Sequence, residues 1–595
     1  MSLHRRHALS LIASVAAPTP ALARRPVRPV RFLHGVASGD PFSDSVLLWT
    51  RLSPEQPGAG PLEAQWELAE DADFARIVAR GVALTGPDKD YTVKAVASGL
   101  QPGRDYYYRF RSGGVVSPLG RTRTLPAGPT ERVELAFVTC SLYPNGYFNA
   151  YHHISRLERV DAVVHLGDYI YEYGGAPDDY GMDNGLRLGR IPEPAHEIVT
   201  LADYRTRHGL YKRDPDLQAA HARAPWIVVW DDHETANDSW VGGAENHHPD
   251  RQGPWLDRER AAIRAYYEWM PIREPEPGRA FEAINRSFQF GDLATLVMLE
   301  TRLLARSYQL EYDRPGDVPL ALYSSDDPAR RRRVTDPAIV RKAMEAAAAG
   351  REPPAPYRLG PDPEALRAIL ASPERRMLGE RQEQWLAAEL ARSVQAGATW
   401  QLLGNQVVIA RTPAPDLIKA AGPASFRRML AAMPADKRAD AGKLAWLFSF
   451  PVPFDLDGWD GYPAARERLY DALKSAGGNP VVLSGDSHAF WANALHDAQG
   501  AYVAAEFGTS AVSSPCPGEG VPGVDLGAVF VAQAPEVKFN DQLAKGYIRL
   551  SLSRQEAVAE LVAVETLVKP YAARTLARFR VRPAPGSAPG PIERI

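Results

Sequence analysis

DAVVHLGDYIYEYGG (161–175) contains a short apolar run that ends abruptly at Asp168. Runs of Val, Ile and Leu of this length are typical of strands that are covered on both faces. Further runs of this kind end in residues able to bind a metal: ELAFVT before Cys140, WIVVW before Asp231-Asp232-His233, WQLLG before Asn405, and PVVLSG before Asp486-Ser487-His488. Helical patterns lie between these strands. The sequence therefore predicts a layered α/β domain over residues 132–565, with its ligands at the strand ends.

Residues 30–125 have a different character. Short segments of alternating apolar and polar residues, separated by Gly and Pro, are typical of a small β-sandwich. The predicted strands include VLLWTRL (46–52) and AQWELAE (64–70), and GLQPGRDYYYRF (99–110) looks like the corner of a fibronectin-type module. This region holds no cluster of His, Cys and acidic residues, so we interpret it as structural or as the rim of a site.

The composition excludes several classes of protein. The chain has 595 residues, 45% hydrophobic and 24% charged, so it is neither fibrous nor wholly disordered. Lys plus Arg (69) nearly balance Asp plus Glu (72), and nothing in the composition requires a nucleic-acid partner. Two cysteines cannot make a disulfide scaffold. Because no stretch reaches about 18 uninterrupted apolar residues, no transmembrane segment is expected.

Residues 1–23, MSLHRRHALSLIASVAAPTPALA, have the order of an export signal. Arg5-Arg6 precede a short apolar run, and the segment ends in a small-residue cleavage site. The paired arginines resemble a twin-arginine signal, which would make the twin-arginine export machinery a partner. An ordinary secretory signal that happens to carry two arginines is the alternative. Either reading predicts a periplasmic or secreted protein.

Two other segments stand apart from the predicted domains. Residues 303–375 contain a basic run, Arg330 to Arg333, and an alanine tract, and we interpret them as an inserted helical excursion with a solvated charged face. The tail 582–595, RPAPGSAPGPIERI, is rich in Pro and Gly and is predicted to be disordered.

Each candidate ligand has an ordinary alternative. Asp168 or Asn405 alone could cap a turn, His488 could be a core histidine, and Cys140 could form a disulfide with Cys516 or remain an inert thiol. Together, oxygen, nitrogen and sulfur ligands indicate one borderline metal beside a harder one. Two cations about 3.5–4 Å apart would clamp a phosphoryl group and activate a hydroxide. No nucleophilic-serine elbow, P-loop or dinucleotide-binding turn is evident at these strand ends, which leaves metal-activated water as the best nucleophile.

Taken in order, these motifs resemble the PhoD family of alkaline phosphatases and phosphodiesterases, within the calcineurin-like metallophosphoesterases. The resemblance runs from HGVASGDPFSDSVLLWTRL (34–52), through the strand ends quoted above and LSGDSHAFW, to EFGTSAVSSP (506–515). It implies a fibronectin- or immunoglobulin-like β-sandwich ahead of an αββα catalytic sandwich. It also implies an exported enzyme that hydrolyses phosphomonoesters and phosphodiesters with a metal-bound hydroxide, using Fe3+ and Ca2+ as cofactors.

The resemblance also assigns roles to residues. The iron-like site would comprise Cys140, Asp168, Tyr171 and His488. The calcium-like site would comprise Asp168 as a bridge, Asp232, Asn405 and Asp486, whose oxygens suit calcium. His233 would be a catalytic residue that steadies the phosphate or the leaving group from outside the metal shell. Arg302 would hold substrate oxygens, with a surface salt bridge as the equal alternative.

The sequence departs from the family pattern at two places. Glu300 stands where an aspartate is expected before Thr301-Arg302, and Lys545 stands where a histidine is common. Two rival functions remain on this evidence. One is a phospholipase D-type phosphodiesterase that prefers lipid head groups on the same scaffold. The other is a non-catalytic calcium-binding periplasmic protein, which would have no need of Cys140 and Tyr171.

Overall fold

The structure is a computed structural model that describes residues 29–595 except 57–59, 326–329, 434 and 587. The predicted export signal, 1–23, lies outside the described residues. Within the described part, no helix combines the length and the apolar character needed to cross a membrane.

The N-terminal region is built from strands, as the alternating pattern predicts. They are β1 (Val30–Arg31), β2 (Val36–Gly39), β3 (Ser45–Arg51), β4 (Ser53–Pro54), β5 (Leu62–Ala69), β6 (Ile77–Thr85), β7 (Thr92–Ser98), β8 (Asp105–Ser112), β9 (Val115–Val116) and β10 (Gly120–Arg123). A sheet of order β10-β8-β5-β6, with β9 on β8, faces β2, β3 and β7. Apolar side chains such as Leu48, Leu68 and Tyr108 fill the space between the two layers. The predicted corner is present, since the Tyr106 hydroxyl accepts a hydrogen bond from the Gln101 amide at 2.9 Å.

The first half of the α/β domain alternates strands and helices. Its elements are β11 (Arg132–Val138), α1 (Asn149–Ser155), β12 (Ala162–His165), α2 (Met182–Leu188), α3 (Leu201–Lys212), α4 (Pro215–Arg223), β13 (Trp226–Val228), α5 (Pro249–Gln252) and α6 (Trp255–Trp269). Local capping explains two of the helix starts. Thr200 and Asp203 form a capping box before α3, and Asp214 caps α4 with Pro215 in its first turn.

The second half adds a second sheet and the C-terminal strands. Its elements are β14 (Arg286–Phe290), β15 (Ala294–Met298), β16 (Leu320–Tyr323), α7 (Pro337–Ala348), β17 (Arg358–Pro361), α8 (Pro363–Leu370), α9 (Glu380–Gln395), β18 (Trp400–Gly404), α10 (Leu417–Ala421), α11 (Pro423–Ala432), α12 (Ala435–Leu447), α13 (Pro463–Ala476), β19 (Pro480–Ser484), β20 (Phe490–His496), β21 (Tyr502–Gly508), α14 (Leu526–Gln533), β22 (Val537–Asp541), β23 (Gly546–Ser553), β24 (Ala557–Val564), β25 (Ala573–Val581) and β26 (Glu593–Arg594).

Two large sheets face each other, and helices cover their outer faces. The first has the order β26-β25-β24-β23-β11-β12-β13-β2-β3-β7, and the second has the order β14-β15-β18-β19-β21-β20-β22. Side chains of both sheets, such as Phe137 and Leu402, meet in one core. On the far side of the second sheet, Leu386 of α9 and Leu469 of α13 pack in another apolar cluster. These layers agree with the expected αββα sandwich.

The first sheet runs continuously from the α/β domain into the N-terminal sandwich. β13 pairs in parallel with β2, where Trp226 lies opposite Gly39. Only glycine fits there, because a β-carbon on Gly39 would lie 1.9 Å from the Pro271 carbonyl oxygen. The N-terminal region is therefore joined to the α/β domain through main-chain hydrogen bonds as well as through the covalent chain.

The segment 303–375 differs in part from the prediction. It contains helices α7 and α8, but β16 and β17 also form a small antiparallel sheet. The basic run is not simply solvated, because Arg331 lies 3.6 Å above the Phe450 ring and Arg333 pairs with Asp362 at 2.6 Å. Phe450 and Trp446, which lie beneath Arg331, are more than a hundred residues further along the chain, so local sequence does not reveal these contacts.

The described part of the tail is not disordered, which corrects the prediction for 582–595. β26 pairs with β25 at the edge of the first sheet. Glu593 accepts charged hydrogen bonds from Arg580 and Arg582 at 2.6 Å each, and Ile592 packs against the main core. The composition suggested disorder, but these few contacts hold the end of the chain in place.

Candidate metal centre

The predicted ligands lie in tight turns immediately after the strands of both sheets. Four of them adopt the left-handed backbone region: Cys140, Asp168, Asp486 and His488 have φ of 57°, 58°, 61° and 52°. For a residue other than glycine this conformation costs about 1–2 kcal/mol. Strain of this kind persists only where the surrounding structure fixes it, and it gathers at functional sites.

Glycines before two of these ligands let the turns approach each other. A β-carbon on Gly167 would lie 2.4 Å from the β-carbon of Asp231, and one on Gly485 would lie 2.6 Å from the Thr139 hydroxyl oxygen. Because both positions require glycine, the turns that carry Asp168 and Asp486 can meet the ends of neighbouring strands closely.

The turns bring the ligand atoms of three groups of residues together. Within each group the potential ligand atoms lie within 4.8 Å of one another. The groups are Cys140, Asp168 and His488; Asp168, Asp232 and His233; and Asp168, Asp231, Asp232 and Asp486. Asp168 belongs to all of them, which is the arrangement expected of a bridging carboxylate. Asp231 was noted in the sequence as a residue able to bind a metal, but it was not assigned to either predicted site.

The first group is organised by hydrogen bonds. The Tyr171 hydroxyl lies 3.1 Å from Asp168 Oδ2 and 3.2 Å from His488 Nε2, and the Cys140 thiol lies 3.3 Å from Asp168 Oδ2. His488 Nδ1 is 2.9 Å from the Pro515 carbonyl oxygen. Because a carbonyl oxygen only accepts, Nδ1 carries the proton and Nε2 presents its lone pair to the group.

Cys140 is a free buried thiol, and so is Cys516. The disulfide alternative for Cys140 is therefore wrong in this structure. Burial raises the pKa of the Cys140 thiol well above its ordinary value, and the carboxylates of Asp168 and Asp486 add to the effect. A thiol in these surroundings becomes a thiolate only when a cation neutralises it.

The carboxylate group contains buried oxygens with no hydrogen-bond partner. They are Asp168 Oδ1, Asp231 Oδ2 and Asp232 Oδ1. Burial raises the pKa of Asp168 and Asp486 well above the ordinary value, and raises that of Asp231 to about 6. Unpaired buried carboxylates are costly, and bound cations are the usual means of stabilising them. The donor set therefore fits hard cations.

Arg302 is wholly buried beside the carboxylates, so the alternative of a surface salt bridge is wrong. Its Nε atom donates to Asp231, and its Nη1 atom donates to Asp457 at 2.8 Å. Its Nη2 atom lies 3.7 Å from Asp232 and 3.9 Å from Asp486, with no hydrogen-bond partner. Arg302 thus fixes the acidic turns and keeps one donor free at the site.

His233 lies beside the first group, with its ring centroid 4.1 Å from that of Tyr171. Its Nδ1 atom is 2.7 Å from the buried Glu172 carboxylate. Burial alone opposes the charged imidazole, but the carboxylates of Asp232 and Glu172 outweigh burial and raise the pKa of His233 well above 6.5. The carboxylates of Asp232 and Glu172 therefore favour the charged form of the His233 imidazole.

Asn405 follows β18 as predicted and is fully buried. Its side-chain oxygen accepts a hydrogen bond from Trp459 Nε1 at 3.2 Å, and its amide nitrogen donates to the Val407 carbonyl. The assignment of Asn405 as a ligand stays a prediction, because these contacts occupy its amide in this structure.

Sequence reasoning missed the residues that support the ligand turns, and Glu234 is the main one. Its buried carboxylate accepts the backbone amides of Asp168, Tyr169 and Asp231 at 3.0, 2.6 and 2.8 Å. These bonds stabilise two ligand turns at once. The only signal in the sequence was a further acidic residue in WDDHE, with nothing to separate it from its neighbours.

The structure shows which contacts are made by Glu300 and Lys545, the two residues that depart from the family pattern. Glu300 is buried and accepts the backbone amides of Arg302, Leu303 and Leu304, so it shapes the turn that presents Arg302. Lys545, where a histidine is common, forms an ion pair with Glu519.

Comparison with known proteins gives consistent matches over nearly the whole chain. The model of the PhoD-like phosphatase family matches residues 135–561, and the model of the PhoD-like phosphatase N-terminal domain matches residues 16–126. Alkaline phosphatase D of Bacillus subtilis (strain 168) is 33% identical over 566 residues, which cover 91% of this chain and 79% of the relative. A solved structure described as "Structure of PhoD" superposes with a TM-score of 0.71 at 30% identity, covering 95% of this chain and 92% of the other.

Proposed function

Since the chain belongs to the PhoD-like phosphatase family and is a phosphoric ester hydrolase, we propose that it hydrolyses phosphomonoesters and phosphodiesters at the candidate metal centre. The observation that carries this proposal is that Asp168 belongs to all three ligand groups. A shared carboxylate would let the two ligand groups hold two neighbouring cations, an arrangement suited to binding a phosphoryl group.

The two ends of the centre suit different cations. Cys140, Asp168, Tyr171 and His488 would hold Fe3+, because a phenol with an ordinary pKa near 10 becomes a ligand at neutral pH only beside a strongly Lewis-acidic ion. Asp168, Asp232 and Asp486, with Asn405, would hold Ca2+, and Asp231 adds a further nearby carboxylate. When bound, such cations supply Lewis-acid polarisation of the phosphoryl group and activation of water.

The chain's own residues supply orientation and a proton. The free Nη2 atom of Arg302 points toward Asp232 and Asp486 and would bind a phosphoryl oxygen. His233, held by Glu172, would bind the leaving-group oxygen and donate a proton to it. Because Arg302 and His233 are buried, their interactions with the phosphoryl oxygen and the leaving-group oxygen would be stronger than in water.

The function is tested by elemental analysis of the protein as purified, together with assays on a phosphomonoester and a phosphodiester that share one leaving group. We expect iron and calcium, and turnover of both esters. Turnover of neither ester would contradict the proposal. A non-catalytic calcium-binding protein, the rival interpretation, would show calcium without turnover and has no role for Cys140 and Tyr171.

We also propose that the protein is exported and acts in the periplasm or outside the cell. Arg5-Arg6 and the apolar run that follows support this proposal. Changing both arginines to lysine should leave precursor in the cytoplasm, as seen by fractionation. Normal export of that variant would indicate the general secretory route.

A further inference from the structure

A small cavity opens directly beside the candidate metal centre. Its volume is about 220 Å³, and Asp486, Ser487 and His488 form part of its wall. Asp486 and His488 belong to different ligand groups of the centre, so the cavity adjoins both. Whole-ligand pockets are usually about 300–1,000 Å³, so this cavity has room for one substituent of a substrate rather than for a whole molecule.

The remaining wall is largely apolar. Val408, Ala410, Phe454, Trp491 and Pro517 contribute to it. Phe454 and Trp491 are braced by the Phe530 ring, at centroid distances of 5.1 and 5.2 Å, and the Trp491 indole donates to Ser487 at 2.8 Å. The aromatic wall is therefore held in one position before any ligand arrives.

Two carboxylates of the wall are committed to other partners. Asp455 accepts the backbone amides of Asp457 and Gly458 at 2.8 and 3.0 Å. Asp460 accepts the Thr412 amide at 2.7 Å and the Arg466 guanidinium at 2.5 Å. Each of their oxygens already accepts a hydrogen bond within the protein, so we assign ligand selection to the apolar side chains.

We propose that this cavity binds an uncharged aromatic or branched alkyl ester group of the substrate, so that diesters carrying such a group are preferred. The inference rests on the proposed function, because the phosphoryl group must lie at Asp486 and His488 for its second ester group to enter the cavity. Phe454 is then a specificity-determining residue. Adding a methylene that fits a hydrophobic pocket is worth about 10–200-fold in discrimination, so a phenyl group should gain at least about tenfold over a methyl group.

The test uses the metal-loaded full chain and two pairs of probes. Titration calorimetry compares phenylphosphonate with methylphosphonate. Kinetics compare p-nitrophenyl phenyl phosphate with p-nitrophenyl methyl phosphate, two diesters with the same leaving group. We expect the phenyl probe to have the advantage in both measurements. Equal values for the two members of each pair in the native protein would overturn the inference.

Variants test whether residues of this cavity cause the preference for phenyl over methyl. Phe454→Ala should reduce the phenyl-to-methyl ratio by about tenfold, as should Ala410→Leu, which fills the cavity. Phe281→Ala is the matched control, since Phe281 is 55% exposed and lies outside this cavity. A ratio unchanged in Phe454→Ala, or equally reduced in the control, would overturn the inference. If Phe454→Ala does not fold, Ala410→Leu and the native comparison decide.

Two further outcomes distinguish a failure of this inference from a failure of the proposed function. Tighter binding of glycerophosphocholine than of phenylphosphonate would show that the cavity selects a cation, and would overturn it. No hydrolysis of any ester, with the phenylphosphonate advantage retained in calorimetry, would contradict the proposed function while supporting the apolar cavity.

Discussion

The two ends of the candidate metal centre share Asp168 but are built differently. The sulfur end, formed by Cys140, Tyr171 and His488, is closed by neighbouring groups, since Ser514 donates to the Tyr171 hydroxyl at 2.8 Å and the Pro515 carbonyl orients His488. The carboxylate end, formed by Asp231, Asp232 and Asp486, has unpaired oxygens. Mixed sulfur, nitrogen and oxygen donors suit a borderline cation, whereas a set of hard oxygens suits a cation such as Ca2+.

The largest effect is expected at the residue that both ends share. Asp168→Asn removes one negative charge from each ligand group but keeps the size of the side chain. Loss of a residue that only supports a metal ligand costs up to about 100-fold in activity. Asp168→Asn should cost more activity than that. Elemental analysis should show less of both metals. Retention of one metal at its full amount would show that Asp168 does not bridge the two ends.

Tyr171→Phe tests the sulfur end alone. The ring and its packing remain, but the oxygen near Asp168 and His488 is lost. A Tyr171 phenolate bound to Fe3+ should give the purified native protein a visible charge-transfer band. We expect Tyr171→Phe to lack that band and to lose activity by about 100-fold. Tyr173→Phe is the matched control, because the Tyr173 hydroxyl bonds to Asn237 at 3.2 Å instead. If colour and activity survive in Tyr171→Phe, the iron assignment is wrong.

Asp486→Asn tests the carboxylate end alone. Calcium affinity should fall by about 10–100-fold, and excess calcium should restore much of the activity. The iron content should not change. Chelation of the native protein should likewise be reversed by calcium. Asp471→Asn, on a side chain that is 72% exposed, should behave as native. Full activity in excess chelator would argue against an exchangeable calcium.

The smallest effect is expected for Glu234, whose carboxylate accepts the backbone amides of Asp168 and Asp231. Glu234→Gln keeps the shape of the side chain but weakens its bonds to the Asp168 and Asp231 amides. We expect an activity loss of about tenfold together with weaker binding of both metals. The half-buried Glu389 bonds to Ser287 on the outside of the second sheet, so Glu389→Gln is the control. Unaltered metal affinity in Glu234→Gln would assign Glu234 to stability alone.

Local sequence patterns predicted the buried strands and the functional residues at their ends. An apolar run that ends in Asp168 or Asp486 identifies both a buried strand and its functional end, because strand burial and strand termination are local properties. The surroundings of Arg302 were not predictable in this way. Its partners Asp231 and Asp457 lie 71 and 155 residues away, and only the packing of two sheets brings them together.

The dependence on contacts that are distant in sequence also explains the incorrect predictions for the segment 303–375 and for the tail. The segment 303–375 and the tail were interpreted from composition, which measures average tendencies. In the structure a few distant contacts decide the outcome, such as Phe450 beneath Arg331 and β25 beside β26. Composition predicts order poorly where a short segment adds to an existing sheet.

The continuous first sheet has a consequence for biosynthesis. Its catalytic strands are flanked by residues from both ends of the chain, since Trp226 lies opposite Gly39 and Leu135 lies opposite Leu550. The sheet cannot close while the ribosome still holds the last strands, because strand β11 would keep an open edge toward the missing β23. The sheet should therefore be complete only once β23 has left the ribosome. C-terminal truncations that remove β23 should yield aggregated protein rather than a smaller active hydrolase.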